Sequence, residues 1–478
     1  MLDGKYHILH VEDDESRFQS YCYMINGALG KRGISHEIIW AGSIADAYRC
    51  IMTRGDELDL IILDISLDDR DGETGLNIIR AVEKTGRIIP MFVVSANVET
   101  YRETLKEYKT KQLILGYSEP LNAAWPEQLA EILLGKDVNV LHLSDIHNGK
   151  FFALGNLELS QNKTLDDLCN NLGHVDFVVV SGDISSTNDP RDYREACVLL
   201  DNLRAKLSLE PNSFVFVPGN HDRDLSRNDA HTFSNFLIFL KDFYRGYLQA
   251  DSYYPSQELE DYDEGAQTFS ELFSVVAYPQ YRTIVVGLNS VNPLDVMDNR
   301  KRDCSVQTGG ILCGLTFGGS ISSEQLINTR RQLEDLYIQH PEYKTFVKLA
   351  TFHHNIFEAA HIERAEWRPT ILNQGNVLDV LAELNFLFVL HGHLHYSELH
   401  YYKAQSKPHG MNIISAGTFS GKERNMDPNF CANKITYRVS QGGQVLSCKV
   451  KRLLLPKDSI SWKSEEIILN DWQLNKQI

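Results

Sequence analysis

The chain has 478 residues, 43% of them hydrophobic and 23% charged, with a formal net charge of −17. That is the composition of an ordinary globular protein with room for one to three domains. The acidic balance argues against a broad non-specific nucleic-acid or acidic-membrane surface, although a metal site would bring its own positive charge to a small anionic substrate. The 8 cysteines are scattered without a Cys-x-x-Cys pair, the pattern of reduced, buried thiols. The opening MLDGKYHILHVEDD has no basic segment followed by an apolar one, and no apolar run approaches the ~20 residues of a membrane span. A cytoplasmic protein without membrane contact is expected.

In chain order, YHILHV (6–11) predicts a strand, DESRFQSYCYMINGAL (14–29) a helix, and HEIIWA (36–41) a second strand. SIADAYRCIMTRG (43–55) predicts a helix capped by Ser43, LDLIILDI (58–65) a buried strand, and TGLNIIRAVEKTG (74–86) a helix. IIPMFVVSA, VETYRETLKEYK, KQLILGYS and AAWPEQLAEILLG complete the series to residue 135 as strand, helix, strand, helix. Five strands alternating with five helices predict a doubly wound parallel sheet, whose functional groups gather at the carboxyl ends of its strands.

GKDVN (135–139) predicts a junction, so the expected domains are 1–136 and 137–478. Strand-like runs follow at VNVLHLSDIHNG (138–149), VDFVVVSGD (175–183), SFVFVPGNHD (213–222), YRTIVVGLNS (281–290), FVKLATFHH (346–354), LFVLHGHLH (387–395) and MNIISAGTF (411–419). Helical runs lie between them at 165–172, 192–207 and 322–340, and the tail from 434 alternates like an antiparallel edge. Two segments break the pattern. Residues 224–280 read as a helical insertion near the site, and residues 291–320 contain the glycine-rich TGGILCGLTFGGS.

Polar groups stand just after these apolar runs: Asp145 and His147, Asp183, Asn220 and His221, His353 and His354, His393 and His395. Carboxylate, imidazole and amide oxygen without thiolate suit Mn²⁺ or Fe, with Zn²⁺ also acceptable. Two residues apart on an extended segment, side chains point the same way. Asp145 with His147, and His393 with His395, are therefore each expected to chelate one ion. Gly182, Gly219 and Gly392 permit tight turns beside the clusters.

The series D-x-H, G-D, G-N-H-D, H, G-H-x-H resembles the calcineurin-like metallophosphoesterases over roughly 138–425. The resemblance implies a four-layer α/β/β/α sandwich. It also implies that Asp145, His147 and His395 bind a first metal, Asn220, His353 and His393 a second, and that Asp183 bridges them. It implies His221 as proton donor to the leaving oxygen, with Asp222 orienting His221 by a hydrogen bond. The chemistry implied is attack on phosphorus by a water acidified between two ions.

At the N-terminus, VEDD, LDI, VVSA and YSEP resemble the receiver domain of response regulators over 5–135. That implies a flavodoxin-like regulatory domain in which Asp64 accepts a phosphoryl group, Glu12 and Asp13 hold Mg²⁺, and Ser95 contacts the phosphoryl oxygens. One position departs from the pattern: Glu119 stands where receivers carry a lysine, and its charge would repel a phosphoryl group.

The expected function is a dinuclear-metal phosphodiesterase acting on a nucleotide or cyclic nucleotide, with a fused regulatory or docking domain. A histidine kinase or another protein is the partner expected at that domain, and receiver analogy favours a homodimer. A metal-dependent nuclease in a defence or stress system is one alternative, with nucleic acid as its substrate. A signalling adaptor without turnover is the other.

Overall fold

The computed structural model describes residues 5–55, 57–67, 75–85, 89–110, 114–149, 158–224, 230–254, 272–291, 319–357, 370–404, 410–420, 429–440, 445–456, 459 and 461–468. The first sheet contains β1 (Tyr6–Val11), β2 (His36–Ala41), β3 (Leu60–Leu63), β4 (Met91–Val94) and β5 (Ile114–Ser118). Its order is β2-β1-β3-β4-β5 and every pairing is parallel, the doubly wound arrangement expected. Between the strands run α1 (Glu15–Lys31), α2 (Ile44–Arg54), α3 (Leu76–Thr85) and α4 (Arg102–Thr110), and α5 (Trp125–Leu134) follows β5.

Alternation within the strands divides the apolar residues between two faces. Ile8, Ile62 and Phe92 pack with Tyr21, Ile25 and Leu29 of α1 and Trp125 and Leu129 of α5. Their neighbours Leu9, Ile61 and Val93 pack with Ala47 and Ile51 of α2 and Ile78, Ile79 and Val82 of α3. Two caps fix where helices begin. The Asp14 carboxylate accepts the Ser16 and Arg17 N–H groups, and the Ser43 hydroxyl accepts that of Asp46.

The junction is shorter than its composition suggests. Helix α5 ends at Leu134, Gly135 turns the chain with φ 73°, and β6 (Lys136–Leu143) starts at the next residue. After it come α6 (Glu158–Leu172), β7 (Phe177–Ser181), α7 (Pro190–Leu207), β8 (Phe214–Val217), α8 (Ser234–Tyr244), β9 (Ser274–Tyr278) and β10 (Thr283–Gly287). Then follow α9 (Ser323–Gln339), β11 (Val347–Thr351), α10 (Gln374–Glu383), β12 (Phe388–His391), β13 (Leu399–Tyr402), β14 (Met411–Ser415), β15 (Asn429–Val439), β16 (Val445–Pro456) and β17 (Lys463–Ile468).

These strands form two six-stranded sheets, ordered β17-β16-β15-β6-β7-β8 and β13-β14-β12-β11-β10-β9. In the first, β6, β7 and β8 run parallel and the tail strands add on antiparallel. In the second, β10, β11, β12 and β14 run parallel between antiparallel edges. Val138, Val140 and Tyr437 of one sheet share a core with Val285, Leu349, Phe388 and Leu390 of the other. The alternate residues Val286, Ala350 and Val389 turn outward against Leu326 and Leu333 of α9 and Leu378 and Leu381 of α10. This is the α/β/β/α sandwich.

Residues 224–280 are not all helical. Helix α8 carries a buried aromatic row, Phe236, Phe239, Phe243 and Tyr244, but SVVAY at 274–278 is the antiparallel edge strand β9. The strand is buried throughout, so it lacks the alternation that marks a strand in sequence. The glycine-rich run at 308–318 lies outside the described residues.

Candidate metal centre

The clusters converge at the carboxyl ends of strands from both large sheets. Asp145 and His147 follow β6, Asp183 follows β7, and Asn220 opens a 3-10 turn after β8. His353 follows β11, and His393 and His395 follow β12.

The extended backbone expected for each two-residue pair is absent. Asp145 and His147 do not lie on an extended segment: their φ angles are 54° and 50°, and those of Asp183, His393 and His395 are 53°, 75° and 60°. All five hold left-handed backbone that non-glycine residues rarely adopt, the kind of strain that collects at functional sites. His393 and His395 do not share a target. His395 Nε2 lies 3.0 Å from Asp145 Oδ1 and 3.2 Å from His147 Nε2, whereas His393 Nδ1 lies 3.1 Å from His353 Nε2. The geometry groups His395 with Asp145 and His147, and His393 with His353, so the two-residue spacing argument does not hold for this pair.

Asp183 stands between the two groups. Its Oδ2 is 3.5 Å from His147 Nε2 and 3.3 Å from His353 Nε2, while its Oδ1 accepts the His221 N–H at 2.8 Å. His353 Nε2 is also 3.0 Å from Asn220 Oδ1, and its Nδ1 donates to the Ser181 carbonyl at 2.8 Å. Close packing makes glycine necessary here. A Cβ on Gly182, whose φ is 95°, would lie 2.6 Å from the His353 ring, and one on Gly219 would lie 2.1 Å from Asp183 Oδ1.

The electrostatics follow from burial and from charge pairing. Burial raises the Asp145 carboxyl, but His395 beside it outweighs this and holds it below the usual carboxylate range. Burial likewise opposes ionisation of Asp183, yet His353 and His221 hold it well below that range. For His353 burial favours the neutral ring, but the Asp183 charge carries it up to about 9. Burial pushes His147 down to about 3 and His393 well below its ordinary value. Imidazole nitrogens and carboxylate oxygens of Asp145, His147 and His395, and of Asp145, Asp183 and His353, lie within 4.8 Å of one another. Lone pairs converging in a buried pocket with two anionic carboxylates are the donor set of a divalent cation. The residues fit such ions.

His221 and Asp222 make separate sets of contacts. His221 Nδ1 meets the Ser186 carbonyl at 2.8 Å. A carbonyl can only accept, so Nδ1 carries a proton and donates it to Ser186. The Asp222 carboxylate accepts from Gly219 N at 2.9 Å, Ser185 N at 3.0 Å, Ile184 N at 3.1 Å and the Tyr193 hydroxyl at 3.0 Å. Burial, then the Asp183 charge, pushes it up to about 6. Asp222 therefore ties the β7 and β8 loops together, and the Ser186 carbonyl takes the orienting role expected of it. No side-chain signature marks a backbone carbonyl, so sequence reasoning could not find Ser186. It also passed over Ser290, whose hydroxyl accepts the N–H groups of His353 and His354 at 3.2 and 3.1 Å.

In the first sheet, Glu12 and Asp13 follow β1, Asp64 follows β3 and Ser95 follows β4, and the three acids lie together as expected. Ser95 Oγ is bonded to Ser66 Oγ at 2.5 Å. Burial, and behind it the Asp64 charge, lifts Glu12 to about 7 against the Asp14 N–H and Arg17. Glu119 follows β5, with its carbonyl accepting from the Ser118 hydroxyl.

The model of the calcineurin-like phosphoesterase family matches residues 138–397. Among curated proteins, none matches. Solved structures similar to the chain include a response regulator receiver domain protein from Clostridium thermocellum, 16% identical, covering 26% of this chain and 93% of its own, with a TM-score of 0.21. A receiver protein from Pseudomonas putida is 18% identical over 25% of this chain and 88% of its own, with a TM-score of 0.18. A protein from Staphylococcus aureus, described as a 5'-nucleotidase and solved with alpha-ketoglutarate, is 13% identical over 67% of this chain and 54% of its own, with a TM-score of 0.35.

Proposed function

The chain belongs to the calcineurin-like phosphoesterase family, and we propose that within it the chain is a dinuclear phosphodiesterase acting on a nucleotide or cyclic nucleotide. It is a metal-dependent phosphoric ester hydrolase by family. Asp145, His147 and His395 would hold one ion, Asn220, His353 and His393 the other, and Asp183 would face both. Manganese or iron suits the oxygen and nitrogen donors. When bound, such a pair supplies Lewis-acid polarisation of a phosphoryl oxygen and a water acid enough to attack near neutral pH.

The chain's own residues supply orientation and the proton. The single observation that carries the catalytic reading is the placement of His221. Its backbone N–H is fixed by Asp183 and its Nδ1–H by Ser186, so Nε2 is the atom that delivers a proton to the departing alkoxide. An adaptor without turnover has no use for such a donor. The diester reading rests on the order SGDIS, GNHD, HH, GHLH, which resembles that of the bacterial cyclic-nucleotide and general phosphodiesterase branch. Residues 1–136 are read as a regulatory or docking domain with a protein partner, and 137–478 as the hydrolase.

Hydrolysis of bis-p-nitrophenyl phosphate and p-nitrophenyl phosphate, with Mn²⁺ or Fe²⁺, tests the proposal. Faster turnover of the diester, lost in an Asp183→Ala/Asn220→Ala variant, is expected. Preference for the monoester would overturn the diester reading. No turnover of either by a protein holding two metals would favour the adaptor, and dominant cleavage of DNA or RNA would favour a nuclease.

A further inference from the structure

The receiver resemblance implies Mg²⁺ among Glu12, Asp13 and Asp64, and the residues present do not fit it, because a cation of the chain itself is already there. The Arg17 guanidinium reaches into the pocket from the first turn of α1. Its Nη2 lies 3.2 Å from Glu12 Oε1 and 3.2 Å from Asp13 Oδ1, its Nη1 3.3 Å from Asp64 Oδ2, and its Nε 3.4 Å from Asp14 Oδ2. One guanidinium thus spans four carboxylates, and its planar fork of donors suits that better than an ammonium would. Glu12 and Asp64 are buried, at 0% and 3% exposure. Two buried acids side by side are stabilised in their charged form by a positive charge between them.

Asp64 is held at both oxygens. Oδ1 accepts the Ser66 N–H at 2.7 Å and Oδ2 faces Arg17. Ser66 in turn binds Ser95, the group expected to contact a phosphoryl oxygen. At the lysine position stands Glu119, an exposed residue that supplies no second cation. Each of these contacts would have to break before a hydrated metal and a phosphoryl group could enter. We propose that Arg17 is the resident cation of this pocket, standing in place of Mg²⁺, so that the N-terminal domain keeps its conformation without metal or phosphoryl transfer.

Trp40 reports on the pocket directly. Its indole N–H donates to the Glu12 carbonyl at 2.8 Å, and its ring stacks on Phe18 with centroids 5.2 Å apart. The test is a MgCl₂ titration of the full chain into the millimolar range, reading Trp40 emission as the difference from a Trp40→Phe variant. That difference removes any signal from the phosphoesterase centre. A flat response is expected for the wild type and for Arg17→Lys, and a saturable one for Arg17→Ala. Saturable binding by the wild type overturns the proposal. So does a flat response from Arg17→Ala with native circular dichroism, since Arg17 would then not be what keeps Mg²⁺ out. Should Arg17→Ala unfold without metal, recovery of its fold in MgCl₂ is expected, and failure to recover also overturns it.

Discussion

His221 and Asp222 are adjacent in the chain, and the geometry separates their jobs. Removing the His221 imidazole, as His221→Ala, should slow an alkyl-leaving diester by about 10²–10⁴-fold while changing p-nitrophenolate release far less. Equal losses on both leaving groups, measured as kcat, would remove the acid role. Asp222→Asn should act on stability instead. Its carboxylate meets three backbone N–H groups and a tyrosine hydroxyl, and an amide would turn an N–H₂ toward at least one donor. A loss of about 2–3 kcal/mol in chemical denaturation is expected, with the ratio of rates on good and poor leaving groups unchanged. The candidate ligand residues were legible in sequence because each is a polar group ending an apolar run. Their side-chain directions were not, because period-2 reasoning presumes extended backbone and five of them are left-handed. Arg17 was illegible for a related reason. An arginine on the first turn of a helix reads as a solvated charge until the fold brings Asp64, 47 positions away, against it.

Elements make their own predictions through positions that no ligand occupies. Gly182 follows β7, and an added Cβ meets the His353 ring at 2.6 Å and Gly219 Cα at 2.9 Å. Gly182→Ala should fold but bind less metal, which elemental analysis of the purified protein would show; full metal content would mean the loop can shift without loss. Lys348 on β11 is 5% exposed, with its ammonium 5.9 Å from the Tyr337 ring centre, and burial lowers it to about 8. Between about 8 and the unfolded value of 10.5, the unfolded chain holds a proton that the folded one lacks. Stability therefore rises with pH across that window, and below it the full penalty of burying the charge applies. Lys348→Met should gain about 1–3 kcal/mol at pH 7 and lose the alkaline rise. Urea midpoints at pH 7 and 10.5 that move in parallel for both proteins would contradict this. Amphipathic helices with caps, such as α1 and α2, were readable because local periodicity and an Asp or Ser cap are local signals. Strand β9 was not readable, since burial on both faces erases alternation.

Across the whole molecule, the candidate metal centre joins what the chain order keeps apart. The partner sheets are built from strands 136–217 plus the tail, and from strands 274–415. The pairing of β15 with β6 sets Val439 against Lys136, a closure across most of the domain that no local pattern announces. Family resemblance supplied the sandwich where periodicity could not. Asp145, His147, Asp183 and Asn220 belong to one sheet, and His353, His393 and His395 to the other, so bound ions would act as cross-links between layers. Ions that bind only the folded state stabilise it by mass action, about 2.7 kcal/mol per site at free metal of 100 times Kd. Chelation of the Mn²⁺-loaded protein should therefore abolish turnover and lower the melting temperature together, and Mn²⁺ should restore both. Asp183→Ala removes the carboxylate that would face both ions and should melt at one temperature with or without chelator. His393→Ala, which touches only the second group, should keep part of the shift. If the metal-free wild type melted where the loaded protein does, the two sheets would be held by their shared apolar core alone, and the strained left-handed loops would need no ion to stay closed.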